Sequence, residues 1–443
     1  MIRLYNSYSL KIEDFISISP NEVLMYVCGP TVYDHAHVGN ARPIVVFDVL
    51  KRVLIDHGYS VKYVSNYTDI DDKIINKAIE LGVDECVISN KYIDAYQDLR
   101  NLLSASGLYK MPKVTDNIKD IILFIERLIK DDYAYIVNGD VYFDITKISD
   151  YGSLSKQNIL SLEVGNRVDI NPNKRNSIDF TLWKQCDHGL AFDSPFSKGR
   201  PGWHSECVVM INKELGDKID IHGGGSDLRF PHHENEIAQA KALFNHGLAN
   251  YWVHNGMVNI EGIKMSKSLG NIKRAIDIIG IIGVDLFRYF MMSVHYRKEL
   301  NFSDIAIDSA KIELDKLVNS INRVNIELQL NSIINDNHID DIYREFIEFM
   351  YDDLNTPNAY NIMHVTSKNI NLLLRNNLKD YDKLIGYYNA LNKMLDIIGI
   401  KIKPFIISDQ DKILYQQWLQ AKNNKDYGLA DSLRNKLIDK GIL

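Results

Sequence analysis

The sequence predicts an α/β domain built on a parallel sheet, interrupted by an insertion and followed by a helical bundle. Three observations predict it. Val23-Leu24-Met25-Tyr26-Val27 is an apolar run that ends in a turn with Gly29 and Pro30, and Val61-Lys62-Tyr63-Val64 is a second short run. Between them Val38, Ala41, Val45, Val49 and Leu54 recur at helical spacing, and Gly58 supplies a stop. Far downstream Ala310, Leu314, Leu317, Ile321, Val324 and Leu328 alternate steps of four and three, the stripe of a helix packed in a bundle.

Strand, helix and strand in that order imply a parallel pair joined by a right-handed crossover. Ligands of such sheets bind beyond the carboxyl ends of the strands, where Cys28 and His37 fall. Residues 116–200 break the pattern, with a helix over 118–129, a strand over 140–145 and a polar stretch near 171–176. This reads as an insertion between two halves of one sheet. The second half returns with strands over 218–222 and 251–254. After Lys267 the character becomes helical, with further helices over 343–351 and 384–398. Asp353-Leu354-Asn355-Thr356-Pro357 is read as a break, Pro404 as a boundary, and residues 430–437 as a helix with basic residues on its face. The expected divisions are 1–305, with the insertion at about 116–200, then 306–403 and 404–443.

The chain has 443 residues, 46% hydrophobic and 25% charged, enough for two or three domains with their own cores. No apolar run reaches the roughly 18–20 residues that span a bilayer. The start, Met1-Ile2-Arg3-Leu4-Tyr5-Asn6, lacks the apolar stretch of a signal peptide, so a cytoplasmic protein without membrane contact is expected. A net charge of −7 does not mark a polycation, yet phosphate contacts need only a locally basic surface. Cys28, Cys86, Cys186 and Cys207 are too few and too scattered for a disulfide framework. Cys86 and Cys186 read as ordinary thiols.

Two segments carry phosphate chemistry. His37-Val38-Gly39-Asn40 opens a helix directly after a strand, where free N–H groups and the positive dipole end attract phosphate. The plain alternative is that His37 only caps the helix. Lys264-Met265-Ser266-Lys267-Ser268 places two ammonium groups on a polar loop flanked by Gly262 and Gly270, suited to closing over a bound group. Positioned ammonium groups stabilise the charge that develops as a phosphoryl centre is displaced. A third constellation binds metal. His232 and Glu236 lie four apart just after Pro231, on one expected helix face, and Cys28 and Cys207 add two thiolates. Two thiolates, an imidazole and a carboxylate make a tetrahedral zinc set, although spacing alone leaves His233 or Glu234 as alternatives. Thr68, Trp203, His222 and Asp227 lie around these segments. Trp203 offers a flat apolar wall, and Asp227 a carboxylate for an ammonium or a ribose hydroxyl. Gly223-Gly224-Gly225 reads as a place of close backbone approach to a nucleotide. Asp69, Asp71 and Asp72 are read either as a magnesium site or as helix caps.

All these segments in order, with Asn66-Tyr67-Thr68-Asp69-Ile70-Asp71-Asp72-Lys73 and Pro201-Gly202-Trp203-His204-Ser205-Glu206-Cys207, resemble the cysteinyl-tRNA synthetase family of class I aminoacyl-tRNA synthetases over nearly the whole chain. The resemblance implies a Rossmann-type catalytic domain with an inserted connective subdomain, then an α-helical bundle that binds the anticodon. It implies a two-step ligation of L-cysteine to tRNA(Cys) through a cysteinyl-adenylate, with ATP and Mg²⁺, by a monomer. It assigns zinc to Cys28, Cys207, His232 and Glu236. It assigns ATP to His37, Gly39, Asn40 and Lys267, catalysis to His37, Asn40, Lys264 and Lys267, and the amino acid pocket to Gly29, Thr68, Trp203, His222 and Asp227. Zinc would then select the substrate thiol, since it takes a thiolate far more readily than serine's alcohol. The tRNA would meet basic residues such as Arg323, Lys422, Arg434 and Lys436, with Trp418 as a stacking surface or a core residue. Two departures from the family stand out. Asn40 replaces the usual second histidine and cannot carry charge. The chain stops at Leu443, where relatives continue with a tail that helps read the anticodon. Rival readings are a cysteine–aminosugar ligase of thiol biosynthesis, an inactive RNA-binding paralogue and a zinc hydrolase. The helical stretch after residue 306 speaks against the first, the intact lysine loop and metal set against the second, and the lack of a water-activating base against the third.

Overall fold

The structure is a computed structural model. It describes residues 1–157, 172–264, 272–376 and 378–442, without the side chain of Lys264. The chain divides into two compact units. The first comprises Met1–Phe287, Val294–Ser303 and Tyr351–Leu354, and the second Arg288–Ser293, Asp304–Met350 and Asn355–Leu443.

The first unit opens with an antiparallel hairpin, β1 (Arg3–Asn6) and β2 (Lys11–Asp14). The expected strand–helix–strand unit follows as β3 (Glu22–Val27), α1 (Val38–Asp56) and β4 (Ser60–Ser65), with β3 and β4 parallel. Val38, Ala41, Val45, Val49 and Leu54 of α1 are all fully buried, as their spacing predicts. Each such side chain contributes about 1.5–3 kcal/mol of burial. Gly58 takes φ of 108°, a value that suits glycine and ends the helix. Helices α2 (Asp72–Leu81) and α3 (Glu85–Leu102) come next, between Asp71 as N-cap of the first and the insertion.

The insertion begins with α4 (Ile118–Lys130). It then forms an antiparallel sheet from β5 (Ala134–Val137), β6 (Asp140–Phe143), β7 (Phe180–Gln185) and β8 (Gly199–Pro201). Its Val141, Phe143, Leu182 and Trp183 share one core with Cys207 and Val208, so it is packed into the unit and not appended to it. The second half of the main sheet is α5 (Trp203–Leu215), β9 (Ile219–Gly225), α6 (Glu234–Phe244) and β10 (Ala249–Asn255). The four parallel strands run in the order β10-β9-β3-β4. Chain direction around the sheet therefore reverses between β3 and β9, and the crevice at their carboxyl ends is the expected ligand position in such a sheet. A smaller sheet follows from β11 (Val258–Ile260), β12 (Ile263–Lys264) and β13 (Leu300–Phe302), with α7 (Ala275–Ile282) between β12 and β13.

Gly223-Gly224-Gly225 lies inside β9 and is not the loop its composition suggests. The glycines are required by packing. A Cβ on Gly223 would sit 2.3 Å from the Phe47 ring of α1, and one on Gly224 would sit 3.1 Å from His233. Phe47 is fully buried and has no room to retreat. Gly223→Ala is therefore expected to destabilise the protein by about 1–3 kcal/mol, read as a lower denaturation midpoint with unchanged slope. An unaltered midpoint would mean that the ring can yield.

In the second unit, α8 (Asp304–Leu330) buries Ala310, Leu314, Leu317, Ile321, Val324 and Leu328, the stripe read from the sequence. It packs with α9 (Ile342–Tyr351), α10 (Thr356–Arg375) and α11 (Tyr381–Ile397), and Ser320 Oγ meets Ser367 Oγ at 2.6 Å inside the interface of α8 and α10. The break at 353–357 is also a start. Asn355 caps α10 and Pro357 sits in its first turn. The last segment forms α12 (Asp409–Asn423) and α13 (Tyr427–Asp439). Ile407, Leu437 and Ile442 cluster with Ile326 of α8, so residues 404–443 share a core with the bundle. Trp418 packs against that cluster and a neighbouring one, with Lys422 Nζ 5.3 Å from its ring centre. Arg323 is held by Asn371 Oδ1 at 2.6 Å. Among the described residues no helix is long and apolar enough to cross a membrane.

Candidate active site and metal centre

The crevice at the carboxyl ends of β3 and β9 opens into a cavity of about 830 Å³. Cys28, Gly29, His37, Gly39, Asn40, Trp203 and Asp227 line it, together with Gly225 and the stretch from Asn255 to Val258. Gly29 has no alternative there. A Cβ would lie 1.6 Å from the Asn66 carbonyl oxygen, and its N–H donates to Asn66 Oδ1 at 2.8 Å. That bond joins the end of β3 to the segment after β4.

His37 is both the cap of α1 and a cavity residue. Asn40 N–H donates to His37 Nδ1 at 3.2 Å, and His37 N–H donates to Asn40 Oδ1 at 3.2 Å, a reciprocal capping pair. An accepting Nδ1 places the proton of the neutral ring on Nε2, which makes that edge a donor. Asn40 likewise keeps its amide N–H₂ as a donor, because its oxygen is taken by the cap. Capping and phosphate binding are thus two uses of one arrangement.

Lys267 lies outside the described residues, as does the side chain of Lys264. The two ends of their loop are described. β12 leads into it, and the chain leaving it pairs with the start of α1. Val38 N–H donates to Lys273 O at 3.0 Å, Ala275 N–H donates to Ala36 O at 2.9 Å, and His37 and Arg274 form an isolated β-bridge. Ile272 and Arg274 line the same cavity as His37.

The metal candidates converge at the cavity floor. Cys28 directly follows β3, Cys207 is on α5, and Glu236 is in the first turn of α6. His232 lies in an irregular turn, Arg229–His233, just before α6 and not on the regular helix the spacing predicts, because Phe230 is extended. The four still meet. Cys28 Sγ and Cys207 Sγ are 3.7 Å apart, and Cys207 Sγ and His232 Nε2 are 3.7 Å apart. Cys28 Sγ is 3.6 Å from Glu236 Oε1, and His232 Nε2 is 2.8 Å from the same oxygen. A tetrahedron with zinc–sulfur bonds of about 2.3 Å and zinc–nitrogen or zinc–oxygen bonds of about 2.1 Å has edges of about 3.4–3.8 Å. The three edges that include a sulfur match, and the His232–Glu236 edge is shorter because a hydrogen bond closes it. The residues therefore fit such an ion. A second group, Cys28, His222, His233 and Glu236, shares two members with the first and is equally compact. Glu234 is excluded from both, since its carboxylate accepts from Ser155 N–H at 2.7 Å and Leu154 N–H at 3.3 Å.

The cluster is charged to receive a cation. Burial opposes ionisation of Glu236, but His222 and His232 hold its carboxyl well below the usual range. The hydrogen bond from Cys28 brings Cys207 down to about 6 against the effect of burial. Burial works against a charged His232, yet Glu236 and Cys207 raise it to about 10. Burial, with the neighbouring Cys207 and Glu236, pushes Cys28 well up. One imidazolium thus lies among groups that favour the anionic form.

Around these four stands a histidine shell that spacing did not single out. His204 Nδ1 lies 3.1 Å from His232 Nδ1, His222 Nε2 lies 2.6 Å from Glu236 Oε2, and His233 Nδ1 lies 2.9 Å from His254 Nε2. Burial, then the neighbouring His232, lowers His204 to about 3, and burial with His222 lowers His254 to about 3, so both rings are neutral. His204 and His254 come from separate elements, and only the fold brings them together. Trp203 stacks on His232 with ring centres 4.3 Å apart and presents its other side to the cavity.

Two residues expected in the amino acid pocket stand one layer behind it. His222 is fully buried against Glu236, and Thr68 is 2% exposed with its hydroxyl 3.2 Å from Glu206 Oε2. Neither lines the cavity. The three aspartates also separate. Asp69 accepts from Thr115, Asp71 caps α2, and Asp72 pairs with Arg200 and Lys184. Capping accounts for Asp71, and the three do not form one site.

Comparison with known proteins agrees with this architecture. A family model described as the catalytic domain of class I (C) tRNA synthetases matches residues 14–312, and one described as a DALR domain matches residues 345–403. A protein of Anoxybacillus flavithermus named cysteine--tRNA ligase is 43% identical over 450 residues, covering 100% of this chain and 97% of that protein. A protein of the same name from Clostridioides difficile is 42% identical over 455 residues, with the same coverage. Among solved structures, methionyl-tRNA synthetase of Mycobacterium tuberculosis bound by methionyl-adenylate superposes with a TM-score of 0.62 at 14% identity, covering 92% of this chain and 96% of that one. The leucyl enzyme of Agrobacterium radiobacter K84 gives 0.60 at 12% identity, covering 87% and 84%. The two structures share the fold. The full-length relatives go further, and on their evidence the chain belongs to the cysteine--tRNA ligase family of class I tRNA synthetases.

Proposed function

We propose that this chain activates L-cysteine with ATP and transfers it to tRNA(Cys), with zinc held by Cys28, Cys207, His232 and Glu236. The observation that carries the reading is the position of Cys28. It belongs to the four-residue cluster and also lines the cavity that starts at the His37 turn. A thiol-selecting centre and a phosphate-binding helix start therefore share one chamber. Of the two compact groups, the one with Cys207 brings two thiolates, the softer donor set and the one suited to zinc.

In the first step a carboxylate oxygen of cysteine attacks the α-phosphorus of ATP. The bond to the bridging oxygen breaks, and pyrophosphate leaves with its electron pair. His37 Nε2–H and the Asn40 amide donate to phosphate oxygens at the helix start. Lys264 and Lys267 would neutralise the charge that grows on the leaving group. Bound zinc supplies a soft Lewis acid that prefers a thiolate to an alcohol. Trp203 walls the amino acid, and Asp227 is placed for its ammonium or for the ribose. His222 holds the outer oxygen of Glu236, and His204 the outer nitrogen of His232, so that the inner ligand atoms face one point. In the second step a ribose hydroxyl of the tRNA terminus attacks the cysteinyl carbonyl and AMP departs. No protein nucleophile is needed in either step.

Pyrophosphate exchange tests the reading. The protein as purified is expected to exchange pyrophosphate into ATP only when cysteine is present, to charge tRNA(Cys), and to lose exchange on treatment with a strong chelator. Exchange that persists in metal-free protein with cysteine still preferred over serine would remove the metal from the proposal. Absence of cysteine-dependent exchange would remove the activity.

A further inference from the structure

Arg42 is one of the largest fully buried side chains of the protein, and nothing in the chemistry above uses it. It sits on α1 two residues after Asn40. Its Nη1 donates to two successive backbone carbonyls, Gly256 O at 2.8 Å and Met257 O at 2.9 Å. Its Nε and Nη2 have no hydrogen-bond partner among the described residues. Burial draws its pKa down to about 10, opposed by the charge of Glu299, so the group remains a cation at neutral pH.

A buried cation with two unfilled donor groups is an expensive way to hold a fold together. Neither carbonyl depends on it. Gly256 O also accepts from Asn255 Nδ2 at 3.0 Å, and Met257 O also accepts from Leu300 N–H at 2.9 Å. What the guanidinium adds is placement. Gly256 is clamped on one side by the chain around residue 298: its N–H donates to Tyr296 O at 2.8 Å, and a Cβ would lie 2.3 Å from Lys298 O. Arg42 clamps the same two peptides from α1. The clamped stretch lines the cavity with His37 and Asn40, and continues through β11 and β12 into the lysine loop.

We propose that Arg42 is a positioning residue for the nucleotide: it fixes the Gly256–Met257 backbone relative to the start of α1, so that one wall of the cavity stands at a set distance from the phosphate-binding turn. The inference rests on the reading of this cavity as the ATP site. It separates placement from stability, because the arrangement sacrifices stability for position.

The test is Arg42→Met, which keeps the stem's volume and removes the charge and the donors, with Arg42→Lys as the conservative partner. In cysteine-dependent pyrophosphate exchange Arg42→Met should raise the KM for ATP about tenfold, the loss of one charge-assisted interaction. The KM for cysteine and the metal content should stay within about twofold of wild type, and Tm should not fall. Arg42→Lys should recover most of the lost ATP affinity. Calorimetric titration with ATP alone gives the same comparison without turnover, so a wild-type protein that binds ATP but does not exchange would indict the proposed reaction and not Arg42. An unchanged KM for ATP in Arg42→Met would overturn the inference. So would a common rise in both KM values with a falling Tm, or failure of Arg42→Met to fold, each of which marks a structural role.

Discussion

Cys207→Ala is expected to retain under about a tenth of the wild-type zinc and to lose cysteine-dependent exchange by at least about 10³-fold. Cys207 provides the edge to Cys28 and the edge to His232, so its loss removes two of the three sulfur-bearing contacts that match a tetrahedral site. It also removes the thiol held lowest in pKa, the group readiest to ligate a cation at neutral pH. The remaining Cys28, His232 and Glu236 leave an open position of the kind that exchanges ligands. The substrate sulfur would then face a weakly held ion or none. Selectivity should fail with affinity. A site that recognises cysteine through a sulfur–metal bond rejects serine by about 10⁴–10⁵, and one that relies on shape alone does so by about 10–10². Metal content by emission spectroscopy reads the first effect, and the ratio of kcat/KM for cysteine and serine reads the second. Cys186→Ala is the control, since that thiol is also buried but lies outside the cluster, and it should keep both metal and selectivity. A Cys207→Ala protein with full metal would transfer the role to the group formed by Cys28, His222, His233 and Glu236.

The parts of this site that were legible in the sequence are those whose signal is local. The helix start at His37 shows because a strand, a turn and an apolar stripe of period 3.6 follow one another, and every stripe residue proved buried. The bundle helix α8 shows for the same reason. Helices α2 and α3 were passed over, although Ile88, Tyr92, Tyr96 and Leu99 are buried at helical spacing, because polar residues between them dilute the stripe. The glycine run 223–225 misled because glycine reports only that a Cβ is not tolerated. Whether a loop, a ligand or a packed ring excludes it depends on what lies opposite, and here that is Phe47 and His233. The histidine shell is a matter of topology. His204, His222 and His254 come from α5, β9 and β10, and each finds its partner across the sheet, so no spacing encodes their meeting. Thr68 and His222 were placed in the pocket by likeness of motif, whereas the structure sets them behind residues that line it. Arg42 left no trace at all in the pattern, since an arginine three positions from Gly39 reads as an exposed helix residue until its burial is known.

Lys267→Ala is expected to lower kcat for pyrophosphate exchange by about 10²–10³, with the KM for cysteine changed by less than about threefold. The side chain itself lies outside the described residues, and the argument comes from the two ends of its loop. One end is β12, paired with β11, whose neighbouring residues form a cavity wall. The other end is bonded to the backbone of residues 36–38, at the start of α1. A loop with both ends fixed at the rim of the cavity delivers its ammonium groups to the cavity mouth, opposite the His37 turn. The triphosphate would then be held between a helix start with neutral donors, His37 Nε2–H and the Asn40 amide, and a loop with full positive charge. The two sides act at different moments. Neutral donors fixed by a capping pair hold the phosphates in the ground state about as well as in the transition state, so losing one should raise the KM for ATP. A full charge gains most when the leaving pyrophosphate acquires its extra negative charge, so losing it should lower kcat. Asn40 sharpens the division, because it cannot take a proton and leaves the cationic work to the lysines. Lys267→Arg, which keeps the charge on a different geometry, should fall between wild type and alanine. If Lys267→Ala raised only the KM for ATP and left kcat intact, the loop would bind the ground state and the division of labour between the two walls would be wrong.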